Sequence, residues 1–437
     1  RELTKDGLKI PKGKYTCKFV SDYNSDEIIL EPVSGKVSKS GSFSNEFNLP
    51  QDLKPGNYSI EIFLNDEYVY SERIKVSYFE KAKFQVMTSI PDGELHLGDT
   101  VNAFVEASYL AGGALVGADY NSNVYKSTVS FTPPSIDARN YVFGPIENSS
   151  LENVYQQNGK LSSNGTVEIN YKPVFDIEGA TCEIKVDTSV VDVSNQIFSS
   201  SKSKIVHPGL FYIGIQKNFE KSFPKTNENV DINFKLFNID GTVTDVTQVK
   251  ENFEYEIIRQ NWKYVNVKSG DELVSRWERK DEKVASGVIE KSSTGKISFE
   301  PKKSGCYIVS LKSKDNKNNV IKTQKSFYVT GIDYYWFDFD SSRMINIEPD
   351  KDLYKPGEIA TLLLKSPLAE GDYLITVERD SILYSEIKHI KGSCSQIQIP
   401  IKEDYLPIVY VSIAACSGRT QEPPIKPNEK DFGKPQG

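Results

Sequence analysis

The chain alternates apolar and polar positions in short runs, the pattern of β-strands with one buried face. Three of these runs follow a glycine and are joined within roughly fifteen residues by a second glycine-led strand. A fourth glycine-led run stands alone at Gly392-Ser-Cys-Ser-Gln-Ile-Gln-Ile. The three pairs begin at Gly41 and Gly56, Gly165 and Gly179, and Gly295 and Gly305. The copies recur every 100 to 130 residues or so, about the length of one antiparallel sandwich domain. The pattern predicts hairpin-like cassettes in a tandem array of β-sandwich domains.

This spacing divides the 437 residues into four β domains and a tail. We place the domains at residues 1–79, 80–205, 206–331 and 332–418. The first begins without an opening strand, so we expect the chain to be a fragment of a longer polypeptide. Residues 127–163 are rich in Asn, Ser and Pro, which predicts long loops with short strands. Residues 419–437 hold four prolines and no apolar periodicity, which predicts an extended linker.

The amino-acid composition limits the classes of partner that this chain is expected to bind. The chain has 53 Lys and Arg against 60 Asp and Glu, a formal charge of −7, with both signs interspersed. A nucleic-acid-binding surface needs a basic face, so nucleic acid is not expected as a partner. No apolar run approaches the roughly 20 residues that span a bilayer. Membrane contact is therefore expected only through an anchor outside this sequence.

The five cysteines are dispersed and have no metal-binding spacing. If the strands at Ile397 and Val409 pair across a turn near Tyr405, Cys394 faces Cys416 within disulfide reach. We therefore keep a Cys394–Cys416 disulfide as a hypothesis.

Other candidate residues favour structural roles over chemistry. The histidines His96, His207 and His389 fall in three different domains, and none has an acidic or cysteine neighbour at a spacing that would make a triad or a metal site, which indicates scattered surface or loop positions. Clustered oxygens could suggest calcium loops, but plain turns are favoured at Asp338-Phe-Asp340 and Asp315-Asn-Lys-Asn-Asn. The aromatic run Tyr334-Tyr-Trp-Phe, with Trp262 and Trp277, favours packing over a carbohydrate platform. We predict no catalytic residue, no cofactor and no metal site, and hence no enzyme.

Several motifs resemble one known family. The segments Val76-Ser-Tyr-Phe-Glu-Lys-Ala-Lys-Phe-Gln-Val, Leu97-Gly-Asp-Thr-Val and Ala107-Ser-Tyr-Leu-Ala-Gly-Gly-Ala-Leu-Val-Gly-Ala look like the entry of a macroglobulin-like domain. The segments Val206-His-Pro-Gly-Leu-Phe-Tyr-Ile-Gly-Ile, Tyr354-Lys-Pro-Gly-Glu, Val377-Glu-Arg-Asp and Val409-Tyr-Val-Ser-Ile resemble the bacterial α2-macroglobulins. The resemblance spans essentially the whole chain. It departs at Ala114, where the family usually has proline, and the thioester motif Cys-x-Glu-Gln and a lipobox cysteine are absent from the sequence.

The resemblance implies four macroglobulin-like domains of fibronectin- or immunoglobulin-like type, the last a bait-region type. It implies a structural portion of a broad-spectrum inhibitor that entraps proteases after a bait segment is cut. Its partners would be target proteases and neighbouring domains of the same chain. The longer polypeptide of which this chain is a fragment, here called the parent, would lie in the bacterial cell envelope. It would be periplasmic or anchored as a lipoprotein.

Two alternatives stay open. The tail offers Arg419 and Lys430 as cleavage points and could be bait-like, but a plain linker is favoured because prolines follow Lys426 and Lys434. The whole chain could instead belong to a cell-surface or periplasmic adhesin whose stacked sandwiches extend a binding tip. A glycoside hydrolase comes last, since it needs paired carboxylates in a shared cleft.

Overall fold

The computed structural model describes residues 2–4, 7–10, 12–22, 24–77, 82–219, 222–269, 272–337, 345–416, 418 and 422. Within these ranges the helical turns are short 3₁₀ turns, at Ala138–Asn140, Val246–Gln248 and Glu403–Tyr405. The predicted all-β class is confirmed. No helix in the described part of the chain is long and apolar enough to cross a membrane. The chain forms two compact units, Arg1–Lys83 and Phe84–Gly437.

The first unit is built on one antiparallel sheet in the order β4-β3-β5-β6, and β1 pairs with β2. Its strands are β1 (Glu2–Thr4), β2 (Gly7–Lys9), β3 (Lys14–Ser21), β4 (Asn24–Lys36), β5 (Gly56–Leu64) and β6 (Glu67–Val76). The strand predicted after Gly41 is wrong, because residues 42–50 have no regular secondary structure. This segment instead packs on the sheet, where the Phe43 ring stacks on Tyr15 with centroids 4.2 Å apart.

The second unit begins with a sandwich of two sheets, β13-β9-β7 and β12-β10-β14-β15-β8, which we call sandwich 1. Alternating residues of both sheets, such as Val105 and Ile184, meet in one buried core. The strands of this region are β7 (Phe84–Ser89), β8 (Leu95–His96), β9 (Val101–Tyr109), β10 (Asp119–Thr128), β11 (Tyr141–Val142), β12 (Glu152–Lys160), β13 (Thr166–Tyr171), β14 (Cys182–Val191) and β15 (Ile197–His207).

Sandwich 2 has the sheets β11-β16-β17-β22 and β21-β18-β23-β24. Its first strand comes from the loop-rich segment predicted within residues 80–205, since β11 pairs Tyr141 with Gln216. A separate ribbon, β19 with β20, extends from β18 and β21. The strands are β16 (Phe211–Gln216), β17 (Val230–Asn238), β18 (Phe253–Arg259), β19 (Trp262–Ser269), β20 (Glu272–Arg279), β21 (Glu282–Ile289), β22 (Thr294–Phe299), β23 (Gly305–Lys314) and β24 (Val320–Val329).

Sandwich 3 has two sheets of three described strands, β25-β26-β29 and β28-β27-β30. Leu362, Leu364, Ile375 and Val377 fill the core between them. The strands are β25 (Asn346–Pro349), β26 (Ile359–Lys365), β27 (Glu370–Glu378), β28 (Ile382–Lys391), β29 (Cys394–Pro400) and β30 (Tyr410–Cys416).

The predicted hairpin-like cassettes are wrong in the second unit. Strand β13 pairs with β9 whereas β14 pairs with β10, so the chain crosses from one sheet to the other between them. The same crossing separates β22 from β23, and β29 from β30. The strands β13, β22 and β29 therefore each lie at the edge of one sheet of a sandwich, and the next strand along the chain lies in the facing sheet.

Candidate functional site

The junction between sandwiches 2 and 3 is built by residues 331–337, which follow β24 and which we call the joining segment. The Gly331 N–H donates to the Cys394 carbonyl (2.9 Å). The Tyr335 N–H donates to the Ser393 hydroxyl, which donates back to the Tyr335 carbonyl, both at 2.7 Å. The Gln396 side chain donates to Thr330 Oγ1 at 3.0 Å and to the Phe223 carbonyl. The joining segment is therefore fixed along the edge of β29.

Buried side chains from both sandwiches fill this junction. Cys306, Tyr335, Phe337, Leu363 and Cys394 form one cluster and are all buried. The Tyr335 and Phe337 rings meet edge to face, with centroids 4.8 Å apart. The prediction that the aromatic run at 334–337 serves packing is confirmed for these two rings. An apolar interface of this kind resists separation of the two sandwiches.

A buried arginine holds the joining segment from the side of sandwich 2. Arg259 is only 6% exposed, and its Nε donates to the Ser304 carbonyl at 2.8 Å. Its guanidinium lies over the Tyr335 ring, 5.2 Å from the centroid, and 3.9 Å from the Asp333 carboxylate. That carboxylate accepts the Ser304 N–H at 3.0 Å. The charge is thereby paired, as a buried guanidinium requires.

A groove of about 570 Å³ runs beside the junction. Its lining includes Lys225, Glu228, Asp350 and Gln396. Asp350 accepts hydrogen bonds from the Tyr354 hydroxyl (2.6 Å) and the Thr361 N–H (2.9 Å), and Glu228 accepts the Lys225 N–H (3.2 Å). These carboxylates hold local backbone in place, which suits a polar groove between domains better than acid–base chemistry.

Two histidines come together where sandwiches 1 and 2 meet, so their predicted scattering is wrong. His96 and His207 are register partners in β8 and β15, with ring centroids 6.3 Å apart. His96 Nδ1 lies 3.5 Å from Asp99, and His207 Nδ1 is hydrogen-bonded to the Tyr212 hydroxyl at 2.7 Å. Burial, with His96 and Lys204 nearby, lowers the pKa of His207 to about 4.

The third histidine is also paired. His389 Nδ1 lies 2.8 Å from the Asp372 carboxylate on the exposed face of sandwich 3. This partner was missed in the sequence because it comes from a neighbouring strand, with Asp372 lying opposite His389 in β27. Among the described residues, no group of three or more His, Cys, Asp or Glu residues could hold a metal ion.

The strand pairing behind the Cys394–Cys416 hypothesis is wrong. β29 pairs with β26 and β30 pairs with β27, so the two cysteines lie in different sheets. Cys394 is buried and Cys416 exposed, and both are free thiols in the structure. The predicted cleavage points Arg419 and Lys430, and the turn at Asp338–Asp340, lie outside the described residues.

Native alkylation should distinguish these thiols. Burial raises the pKa of Cys306 to about 11 and that of Cys394 to about 12, whereas Cys416 is exposed. Because the thiolate is the reactive species, we expect iodoacetamide at pH 7.5 to modify Cys416 about 100-fold faster than Cys306 or Cys394. Peptide mass spectrometry would measure this. Absence of label on both Cys394 and Cys416 after unfolding without reductant would instead establish the disulfide.

The fold and the junction define a tandem array of antiparallel β-sandwiches with fixed connections between the last two. Residues 345–427 match the family model described as the alpha-2-macroglobulin bait region domain. An alpha-2-macroglobulin homolog of Nostoc sp. is 24% identical over 377 residues, covering 84% of this chain. The predicted relationship to the alpha-2-macroglobulins is confirmed. The chain spans only 19% of the length of that relative.

The chain is also similar, at lower identity, to two solved structures. The native conformation of E. coli alpha-2-macroglobulin is 16% identical with a TM-score of 0.48, over 94% of this chain and 27% of that one. Salmonella alpha-2-macroglobulin reacted with methylamine is 15% identical with a TM-score of 0.47, over 93% and 27%.

Proposed function

We propose that this chain is a structural portion of a broad-spectrum protease inhibitor that entraps proteases after bait cleavage. The observation that carries the proposal is the match of residues 345–427 to an alpha-2-macroglobulin bait region domain. The Nostoc relationship over most of the chain supports a role of protease-inhibitor type at the level of the family. The partners would be target proteases and neighbouring domains of the same polypeptide.

The junction supports a mechanical part in this function. Sandwich 3 is held to sandwich 2 by backbone hydrogen bonds, a buried cluster and the paired Arg259. Because little free rotation remains at residues 331–337, a force applied beyond β30 would move the two sandwiches together. We propose that they act as one rigid body which passes a change at the bait to the rest of the parent.

The surroundings of the parent follow from the same relationship. We propose a bacterial protein of the cell envelope, periplasmic or held by a lipoprotein anchor in another part of the polypeptide. The domain boundaries proposed above, at residues 79, 205, 331 and 418, stay proposals. So does the choice between a bait-like segment and a linker for residues 419–437.

Protease capture by the full-length parent tests the function. The parent would be incubated with several unrelated proteases and followed by native gel mobility and by mass spectrometry of bound enzyme. Cleavage confined to one segment, with a mobility shift and retained protease, supports the proposal. Cuts scattered between domains, with no retained enzyme, would contradict it and favour the adhesin.

Trypsin should cut the 437-residue chain first in its tail. Paired strands resist proteases because a protease binds extended, unpaired backbone. We expect early products that end at Arg419 and Lys430, read by intact mass, and Arg419→Gln or Lys430→Gln should each remove one product. Lys426→Gln is the matched control, since proline follows Lys426 and blocks that bond. First cuts inside sandwich 3 would contradict the prediction.

A further inference from the structure

A second groove at the junction between sandwiches 2 and 3 collects positive charge, and we call it the lysine groove. It has a volume of about 580 Å³. Its lining includes Lys225 from the loop before β17, and Lys388, His389 and Lys391 from β28. Among the described residues, no aspartate or glutamate lines it. A groove of this size accommodates a small molecule or a headgroup.

The three lysines of this groove are exposed and have no carboxylate partner. Their ammonium groups form neither an ion pair nor a hydrogen bond with any described residue. Neighbouring carboxylates are engaged elsewhere or lie outside the groove. Asp372 lies 2.8 Å from His389 Nδ1, and Glu228 accepts a backbone N–H at 3.2 Å. Glu370 lies opposite Lys391 in the ladder but does not line the groove.

A groove on the face of sandwich 2 provides a comparison. It has a volume of about 450 Å³ and also holds three lysines. Each pairs with a carboxylate of the same groove, namely Lys283 with Glu256 at 2.9 Å, Lys312 with Glu254 at 3.3 Å and Lys322 with Glu178 at 3.9 Å. In the lysine groove this counter-charge is missing from the described residues. Because like charges repel, a bound anion would stabilise the cluster.

The chemistry of the lining favours phosphate among anions. Lysine binds phosphate as a point charge, whereas the arginine fork matches planar carboxylates, and no described arginine lines the groove. The Thr226 hydroxyl in the lining can donate to a phosphate oxygen. Ile332, which is 81% exposed, adds an apolar surface for the organic part of a phosphate ester.

We propose that the lysine groove binds a phosphate-bearing ligand across the junction. Lys225 holds the phosphate from the side of sandwich 2, and Lys388 and Lys391 hold it from the side of sandwich 3. Because the bound ligand contacts both sandwiches, it resists their separation. Free phosphates and lipid headgroups share this chemistry, so two probes are needed to separate them.

Calorimetric titration of the 437-residue chain with inorganic pyrophosphate tests the site. Lys388→Gln combined with Lys391→Gln should weaken binding about tenfold or more, because each removes a charge-assisted hydrogen bond. The matched control is Lys283→Gln combined with Lys312→Gln, which removes the same charge from the other groove. The control should change the affinity by less than about twofold, since distant exposed charges are screened.

Flotation with phosphatidylcholine vesicles that contain phosphatidic acid tests the headgroup as the source. If these vesicles bind and pyrophosphate does not, the ligand is a headgroup, and the Lys388→Gln and Lys391→Gln pair should abolish flotation while the control pair does not. Thermal unfolding without ligand should be the same in the natural chain and in both pairs, because all four lysines are exposed.

A bound probe should also protect the junction. We expect it to slow alkylation of the buried Cys394 about threefold or more in the natural chain, and not in the Lys388→Gln and Lys391→Gln pair. Binding of neither probe would overturn the proposal. Equal weakening in the two pairs of variants would also overturn it, since net charge alone would then account for binding.

Discussion

Replacing Gly392 with alanine is expected to lower the free energy of unfolding of the junction by about 3 kcal/mol or more. Gly392 has φ 86°, a left-handed conformation that a side chain disfavours. A Cβ at this position would lie 2.9 Å from Ile332 Cα and closer still to the Gly331 carbonyl oxygen. Both obstacles are backbone of the joining segment, so relief requires moving residues 331–337 away from β29.

A second glycine separates the cost of the left-handed conformation from the cost of the close backbone contact. Gly357 lies in the same sandwich with φ 91°, and nothing lies within 4 Å of a Cβ placed there. Gly357→Ala should therefore show only the conformational cost, about 1 kcal/mol. Thermal unfolding and the alkylation rate of Cys394 would be measured in both variants. If Gly392→Ala behaves like Gly357→Ala, the close contact does not stabilise the junction.

Acid is expected to weaken the contact between sandwiches 1 and 2 through His207. Its pKa is lowered to about 4 in the folded chain, against about 6.5 when unfolded. Between these values the unfolded chain takes up a proton that the folded chain does not. The contribution of neutral His207 to the free energy of unfolding is therefore complete above pH 6.5. About 3 kcal/mol of it is lost as the pH falls to about 4.

The variant His207→Gln isolates this effect from other titrations. Denaturant unfolding of both chains would be compared between pH 7 and pH 4, with His96, Asp99 and Lys204 unchanged around the site. The variant should lose about 3 kcal/mol less than the natural chain across this window. Equal pH dependence in the natural chain and His207→Gln would contradict the argument.

Two contacts, one between sandwiches 2 and 3 and one between sandwiches 1 and 2, bear on the proposed function. One is a buried cluster around Tyr335 and Cys394, and the other is an aromatic contact in which the Phe131 ring stacks on Tyr212 with centroids 5.0 Å apart. Both connect sandwiches through buried or half-buried side chains rather than through exposed charges, whose pairs stabilise little. Under the proposed function, a displacement of sandwich 3 would reach sandwich 1 through these contacts.

Strand positions were the most predictable feature. The runs after Gly165, Gly295 and Gly392 are strands β13, β22 and β29, because alternation with a buried face fixes a strand locally. The run after Gly41 has the same alternation but forms no strand. Its Phe43 ring packs on Tyr15, a residue of the neighbouring sheet. Alternation reports burial of one face, and a packed loop can satisfy that as well.

The candidate site was less predictable. The aromatic run at 334–337 indicated packing, but nothing in the sequence joined it to Arg259, Ser393 or Gln396. These residues lie far apart in the chain and meet only because the edge of β29 faces the end of sandwich 2. The pairs His96 with His207 and His389 with Asp372 were missed for the same reason.

By itself, the sequence determined the all-β class, the repeated domains and the relationship to the alpha-2-macroglobulins, because strand alternation and family motifs are local. Only the tertiary structure decided which strands share a sheet. In the sequence, a glycine turn within a hairpin cannot be distinguished from a glycine turn between the two sheets of a sandwich, because both need the same reversal of the chain. The choice is made by which faces bury each other, and it placed Cys394 and Cys416 in different sheets.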